Sequence, residues 1–265
     1  MKASPVPALL ALLLVLTPSA PAEGTALAYA IDAEIEGAVF EGKVPVALHA
    51  NGTLEAEGWL GGYLKNSTVP VSLQMNYRGL LLRNATGHLE REEAHARVHG
   101  AIWGHTFERR YDEVVTYTPP LNDTPLNLTQ GYTWNLTALV RSERVRDGGA
   151  PEVTEGRRTL HFEVLGNRSF RVLGENRTGV GIRMDFEPVD TDGRYWISYV
   201  EPGTGLLLSK SRVSAGALHA TATLVDPDPV PAQPPPRGSA TPAPGVLAVG
   251  ALLASLAALR SRRSG

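Results

Sequence analysis

Apolar and polar residues alternate along most of the chain between residues 27 and 225. The alternation is almost without error in residues 180–187 (VGIRMDFE), 160–164 (LHFEV) and 29–35 (YAIDAEI). Because successive side chains of a β-strand point to opposite faces, this period of two predicts strands with one buried and one solvated face. Such strands are typical of an antiparallel sheet that packs on a core with one face. A short helix fits only residues 89–99.

Turn chemistry agrees with a meandering sheet. Asn51-Gly52 and Asp192-Gly193 tolerate positive φ and suit tight hairpins, while Gly61-Gly62 and Gly166-Asn167 are further breaks between predicted strands. The sequence has no repeat period and no internal linker. Residues 23–225 are therefore predicted to form one all-β domain.

The second half of this domain has a more specific layout. Pro119-Pro120 precedes a long predicted strand at residues 131–145, and Tyr195-Trp196-Ile197 precedes a turn at residues 201–207 (EPGTGLL). An aromatic pair before a Pro-x-x-Gly-Leu turn resembles the half-β-barrel domains of bacterial envelope proteins, of which the lipoprotein-carrier type is best known. The resemblance implies one antiparallel sheet curved around an apolar groove. A β-sandwich has nearly the same sequence pattern and is the alternative.

The first 22 residues are predicted to be a secretory signal peptide. Lys2 supplies a positive start, residues 8–16 are apolar, and Ala20-Pro21-Ala22 is a small-residue cleavage site. The apolar run is shorter than the about 20 residues that a membrane-spanning helix needs.

The end of the chain is predicted to anchor the domain. Residues 226–244 contain eight prolines and should form an extended stalk. An apolar segment extends from Gly245 to Leu259, and a basic tail, residues 260–265, follows it. The positive-inside rule places this tail in the cytoplasm. We therefore expect the domain at the extracellular face of the cell membrane.

A proline stalk, a short hydrophobic helix and a basic end are together similar to the archaeal PGF-CTERM sorting signal. The matching triplet is Pro244-Gly245-Val246, where the family expects phenylalanine in the third position. The resemblance implies a secreted archaeal surface protein and a sorting enzyme that replaces the tail with a lipid. An ordinary single-pass transmembrane anchor is the alternative.

Asparagine usage supplies independent evidence for export. Of nine asparagines, eight begin an Asn-x-Ser/Thr sequon, the acceptor motif for N-glycosylation. The eight are Asn51, Asn66, Asn84, Asn122, Asn127, Asn135, Asn167 and Asn176. We therefore predict a glycoprotein.

Composition excludes several functions. The chain has no cysteine, which excludes thiol catalysis and thiolate metal sites. A net charge of -2 supplies no basic field for nucleic acid. The sequence contains no Gly-x-Ser-x-Gly elbow, Walker loop or Gly-x-Gly-x-x-Gly turn, and no cofactor is predicted.

The histidines are weak candidates for a metal site. His95 and His99 share a face of the predicted segment, and imidazole suits zinc or copper. Because Ala96 follows His95, the His-Glu-x-x-His order of zinc proteases is absent. A solvated strand face is the preferred interpretation of these two residues.

The tryptophans are predicted either to fill the core or to line an apolar groove for a lipid or another ligand. They are Trp59, Trp103, Trp134 and Trp196. The preferred function is a non-enzymatic, surface-anchored β-domain that binds an apolar ligand or an envelope partner. A structural component of the cell-surface layer is the alternative, and an extracellular hydrolase with an unrecognised site is a further one.

Overall fold

The computed structural model describes residues 27–226 except residues 36, 50–52, 66–70, 103–104, 124–126, 188–192, 194 and 215–216. Its strands are β1 (Leu27–Ile35), β2 (Ala38–Leu48), β3 (Leu54–Leu64), β4 (Val71–Arg83), β5 (Leu89–Ile102), β6 (His105–Leu121), β7 (Thr133–Arg146), β8 (Glu152–Val172), β9 (Glu175–Glu187), β10 (Tyr195–Val200), β11 (Leu207–Ser214) and β12 (Ala217–Val225). The predicted signal peptide, stalk, hydrophobic segment and basic tail lie outside the described residues. None of the described residues belongs to a helix that could span a bilayer.

The twelve strands form a single antiparallel sheet that closes into a barrel. Each strand pairs with its neighbours in sequence, and β1 also pairs with β12, from Ala28↔Val225 to Ala33↔Ala220. The prediction of an all-β antiparallel fold is confirmed. The half-barrel and the sandwich are both wrong, because pairing of the first strand with the last leaves no free sheet edge and makes one closed sheet.

Alternation along the strands places apolar side chains inside the barrel. In β4, Leu73, Met75 and Tyr77 are buried, whereas the intervening Gln74 and Arg78 are exposed. Directly opposed residues of paired strands point to the same face, so the inward-facing set continues from strand to strand around the sheet. The outer face carries most of the charged side chains.

Residues 89–99, the one stretch that fits a short helix by sequence, form most of β5 instead. This strand pairs along its length with β4 on one side and β6 on the other; Ala94, for example, is opposite both Gly79 and Glu113. Two ladders of backbone hydrogen bonds outweigh a weak local preference, which is why strand formation depends strongly on context.

Two predicted turns are wrong, because neighbouring strands again decide the local structure. Gly61-Gly62 lies inside β3 and Gly166-Asn167 inside β8. A Cβ on Gly62 would lie 2.7 Å from the Phe40 ring, so this glycine makes room for an inward aromatic residue. Gly166 lies where the register between β8 and β9 shifts. Asn51, Gly52 and Asp192 lie outside the described residues.

Connections alternate between the two ends of the barrel because neighbouring strands are antiparallel. One end carries the β2–β3, β4–β5, β6–β7, β8–β9 and β10–β11 connections, together with the start of β1 and the end of β12. We call it the sequon end, because Asn84, Asn122, Asn127 and Asn176 lie in or beside these connections. The other is called the opposite end.

Candidate functional site

The barrel interior is closed near the sequon end and accessible at the opposite end. Along β9, the inward-facing Val180 and Ile182 are buried, whereas Met184 and Phe186, nearer the opposite end, are partly exposed. In β5, Ala96 is buried and Val98, two residues nearer the opposite end, is partly exposed. Solvent therefore reaches inward-facing side chains from the opposite end.

The end of β6 and the described start of the β6–β7 connection pack into the sequon end. Leu121 and Asp123 are both buried there. Arg83 donates hydrogen bonds to both carboxylate oxygens of Asp123, at 2.8 and 2.9 Å, and one to the carbonyl oxygen of Gly87 at 2.7 Å. This bidentate pair ties the β6–β7 connection to the β4–β5 turn.

A row of inward-facing residues crosses five neighbouring strands on one side of the interior. Arg212, Trp196, Met184, Phe162 and Trp134 are directly opposite one another in turn, from β11 to β7. Trp134 stacks on Phe162 with ring centroids 4.7 Å apart, and Phe186 packs edge-on against Trp196 at 5.1 Å. We call the apolar members of this group the apolar wall: Trp134, Phe162, Met184, Phe186 and Trp196.

A polar cluster lies deeper in the barrel, towards the sequon end. Lys210 is two residues from Arg212, is opposite Ser198 and is only 1% exposed. Glu92, also buried, accepts a hydrogen bond of 2.7 Å from the Tyr117 hydroxyl. The Nζ atom of Lys210 and the hydroxyl of Tyr77 make no hydrogen bond to any described residue. We call Tyr77, Glu92, Tyr117 and Lys210 the polar floor.

Burial shifts the acid–base properties of the polar floor. It lowers the pKa of Lys210 to about 8, against the opposing negative charges of Glu92 and Asp123. Burial also raises the pKa of Glu92, against the Tyr117 hydrogen bond and the Lys210 charge. Burial and the Glu92 charge together hold the pKa of Tyr77 well above its usual value. Each charged group of the floor is thus costly alone and stabilised by its counterpart.

A second buried acid already has a counter-ion. Glu113 on β6 accepts hydrogen bonds through one carboxylate oxygen, from Ser142 at 2.7 Å and from Arg144 at 2.6 Å. Its other oxygen has no partner among the described residues. The Arg144 side chain extends towards solvent, so this pair connects the interior with the surface.

The tryptophans of the predicted groove divide between the two faces of the sheet. Trp134 and Trp196 point into the barrel and belong to the apolar wall. Trp59 lies on the outer face, where its ring stacks near His99 with centroids 6.5 Å apart. Trp103 lies outside the described residues. Two of the four residues therefore meet around the same interior.

The structure places His95 and His99 on the outer face of β5. Nδ1 of His95 is 2.8 Å from Asp112, and Nδ1 of His99 is 3.5 Å from Glu108. Burial alone would raise the pKa of Asp112, but hydrogen bonds from His95 and Arg110 outweigh burial and lower it. Within the described residues, no group of three or more acidic or histidine side chains is arranged to hold a metal ion.

Six sequon asparagines are described, and none is buried. Asn122, Asn127, Asn135, Asn167 and Asn176 are exposed, and Asn84 is partly exposed. In two sequons the hydroxyl of the threonine donates to the asparagine oxygen at 2.7 Å, from Thr86 to Asn84 and from Thr129 to Asn127. Asn51 and Asn66 lie outside the described residues.

Sequence reasoning missed the polar floor. A signal for Glu92 was present, because it alternates in phase with Ala94, Ala96 and Val98 and so belongs to the apolar face of β5. Lys210 and Arg212 gave no such signal, because serines separate them and either face of β11 could be the solvated one. Only the closed barrel shows that both basic residues point inward.

Comparisons with known proteins add little to this geometry. No family model and no curated protein matches the sequence. Among solved structures, the chain is similar to a β-barrel-like protein of the domain of unknown function DUF1849 from Brucella abortus, with a TM-score of 0.41 and 7% identity. The match covers 76% of this chain and 95% of that chain. A likeness at this TM-score carries no argument about function.

Proposed function

We propose that this protein is a non-enzymatic, surface-anchored binding protein that holds an apolar small molecule inside its barrel. One observation carries the proposal: apolar side chains that point into a closed barrel near its opposite end, among them Met184, Phe186 and Val98, remain partly exposed. Accessible apolar surface in a concave interior with a few convergent polar groups is the usual character of a small-molecule site. The ligand enters at the opposite end and packs along the apolar wall.

The size of the barrel supports an internal ligand. Eight strands give an interior that side chains fill or that holds one small ligand, and the diameter grows roughly linearly with strand number. Twelve strands close this barrel. Several inward positions are also small, including Ala94, Ala96 and Ala222. A wide sheet lined partly by small residues leaves more room than an eight-stranded barrel has.

The same proposal puts the barrel outside the cell as a glycoprotein. Its support is the predicted signal peptide, the proline stalk before the hydrophobic segment, and the exposed or partly exposed positions of the six described sequon asparagines. Glycans on these residues would extend from the outer surface and the sequon end. Apart from the Asn66 sequon in the β3–β4 connection, they leave the opposite end clear for a ligand.

Binding of straight-chain alcohols tests the proposal. The full chain, kept in solution by an amphipol, is dialysed against radiolabelled octan-1-ol, decan-1-ol and dodecan-1-ol. Each methylene that leaves water contributes about 0.8 kcal/mol, so saturable affinity should rise roughly tenfold for every two carbons until the wall is covered. Absence of saturable binding across the series would contradict the proposal.

A matched pair of variants assigns the binding to the interior. Met184→Gln makes one position of the apolar wall polar at nearly constant size, and should weaken dodecan-1-ol binding several-fold. Leu139→Gln makes the same kind of change at an outer position that is 42% exposed, and should leave binding within about twofold. Equal effects of the two substitutions would show that the alcohol binds elsewhere.

A further inference from the structure

Resting on the proposed function, we infer that the ligand is a single-chain amphiphile with one anionic group of carboxylate size, which Lys210 and Tyr77 bind at the polar floor. The apolar chain then lies along the apolar wall towards the opposite end. The ligand therefore lies with its head group towards the sequon end and its apolar chain towards the opposite end.

The two head-group residues are buried donors that converge from different walls. Lys210 belongs to β11 and Tyr77 to β4, five strand pairings apart by the shorter way around the barrel. Both are almost completely buried, and neither Nζ nor the phenol oxygen has a hydrogen-bond partner among the described residues. The charge of Glu92 raises the pKa of both groups, so both lie within electrostatic reach of that carboxylate.

Hydrogen-bonding capacity favours an anion over a cation. Buried donor atoms without an acceptor among the described residues include those of Lys210, Tyr77, Trp134 and Trp196. Among the acids of the described residues, one oxygen of Glu113 is a fully buried acceptor without a partner. Because native proteins rarely leave buried polar groups unsatisfied, a ligand that supplies acceptors fits this excess of donors.

Neighbouring charges are mostly paired before any ligand binds. Both Asp123 oxygens accept hydrogen bonds from Arg83, and Glu113 accepts from Arg144. Among the described acids near Lys210, Glu92 is the one without a basic hydrogen-bond partner, and it accepts from Tyr117 instead. A cationic head group would have to pair with Glu92 in place of Lys210. The Lys210 ammonium would then have no counter-ion.

The strand register connects the head group with the apolar wall. Lys210 is opposite Ser198 on β10, and Trp196 follows two residues nearer the opposite end on the same inward face. Trp196 is in turn opposite Met184. A chain attached to an anion at Nζ therefore passes Ser198 and meets Trp196 and Met184 on its way out.

Four ligands of equal chain length test the inference on the full chain in amphipol. Equilibrium dialysis compares radiolabelled dodecanoate, dodecan-1-ol, dodecylammonium and dodecyl phosphate. Dodecanoate should bind about tenfold more tightly than the alcohol, because a hydrogen bond to a charged group is worth more than one to a neutral group. Tighter binding of the ammonium or of the alcohol than of dodecanoate overturns the inference. Tighter binding of the phosphate than of dodecanoate would show that the site is not built for an anion of carboxylate size.

Variants then locate the head group. Lys210→Met should lower the affinity for dodecanoate about tenfold and change that for dodecan-1-ol less than twofold. Tyr77→Phe, which removes only one oxygen, should lower dodecanoate affinity about threefold. Tyr29→Phe is the matched control, because the buried Tyr29 hydroxyl already donates to the Leu207 carbonyl at 2.9 Å; it should leave the affinity unchanged.

The outcomes separate this inference from the proposed function. If all four ligands bind equally and Lys210→Met has no selective effect, the apolar site stands and the head-group site is wrong. If no ligand binds saturably, both are wrong. If Lys210→Met does not fold, as judged by its far-ultraviolet circular dichroism, the Tyr77→Phe and Tyr29→Phe pair decides the question alone.

Discussion

Lys210 and Glu92 lie on opposite walls of the barrel, six strand pairings apart in either direction, and the charge of each shifts the pKa of the other. Their side chains therefore approach each other across the interior, although no hydrogen bond joins them. Such a pair is costly to bury, but removal of one member costs more because a charge is left uncompensated.

Substitution of one member should destabilise the barrel more than substitution of both. Glu92→Gln leaves the Lys210 ammonium buried without its counter-ion and should lower the free energy of unfolding by about 3 kcal/mol. The double variant with Lys210→Met should lose clearly less than the sum of the single losses. Urea unfolding of all four proteins gives the coupling energy. Additive losses would mean that the two charges do not interact.

The stability that Lys210 contributes should rise with pH in the alkaline range. The pKa of Lys210 is about 8 in the folded barrel, against an ordinary value of 10.5. Between these two pH values the unfolded chain therefore binds more protons than the folded barrel does. Wild type should therefore gain about 2 kcal/mol relative to Lys210→Met between about pH 8 and pH 10. Tyrosines with a raised pKa, such as Tyr29, contribute stability that falls as the pH rises. They are present in both proteins, so their contribution cancels in the difference between wild type and Lys210→Met. A flat or falling difference would contradict the burial of a charged lysine.

The buried ion pair at the sequon end should matter far more than a similar exposed one. Asp123→Asn removes a carboxylate that is 3% exposed and leaves Arg83 buried, which should cost about 3–5 kcal/mol. Asp147→Asn breaks the exposed contact with Arg109 and should cost less than about 1 kcal/mol. Thermal unfolding of the two variants provides the comparison. Similar losses would show that the β6–β7 connection does not pack into the sequon end.

Of two glycines of the sheet, only one should be sensitive to an added methyl group. A Cβ on Gly42 would lie 2.8 Å from the carbonyl oxygen of Trp59 and 3.2 Å from Cα of Leu60, both backbone atoms. Gly42→Ala should therefore destabilise by about 1–3 kcal/mol. Gly156→Ala meets nothing within 4 Å and should change stability by less than about 0.5 kcal/mol. A neutral Gly42→Ala variant would argue against close packing of β2 on β3.

Glycosylation should follow the sequons and not exposure alone. Asn176→Gln, in protein isolated from its native membranes, should reduce the mass by one glycan. Asn76→Gln changes the one asparagine that lacks a sequon and should not alter the glycan mass. Intact-mass spectrometry checks both. An unmodified wild-type chain would remove the glycoprotein part of the proposal.

Much of the fold follows from local patterns. The stretches of residues 29–35, 160–164 and 180–187 each lie in a strand, and residues 29–34, 160–164 and 180–186 have the predicted inward and outward sides. The turn at residues 201–207 likewise lies between two strands, with positive φ at Gly203 and Gly205. These features depend on side chains two residues apart or on the backbone of single residues, so one sequence is enough to predict them.

Other features depend on strands that are distant in sequence. The helix considered at residues 89–99 gives way to a strand because β4 and β6 pair with it, and Gly61-Gly62 continues β3 because Phe40 needs the space. Each result depends on a neighbouring strand, and the local propensity of a segment does not indicate which strand will lie beside it.

The sequence by itself determined that this chain forms antiparallel strands with one apolar face, and it identified the sequons and the four tryptophans. The tertiary structure decided that the sheet closes, because the pairing of β1 with β12 joins residues nearly 200 positions apart. Closure also decided which residues share the interior: it turned Trp134 and Trp196 inward, left Trp59 outside, and brought Lys210 towards Glu92. The physical reason is that alternation fixes two faces for each strand, whereas only the closed sheet makes one of those faces a common interior.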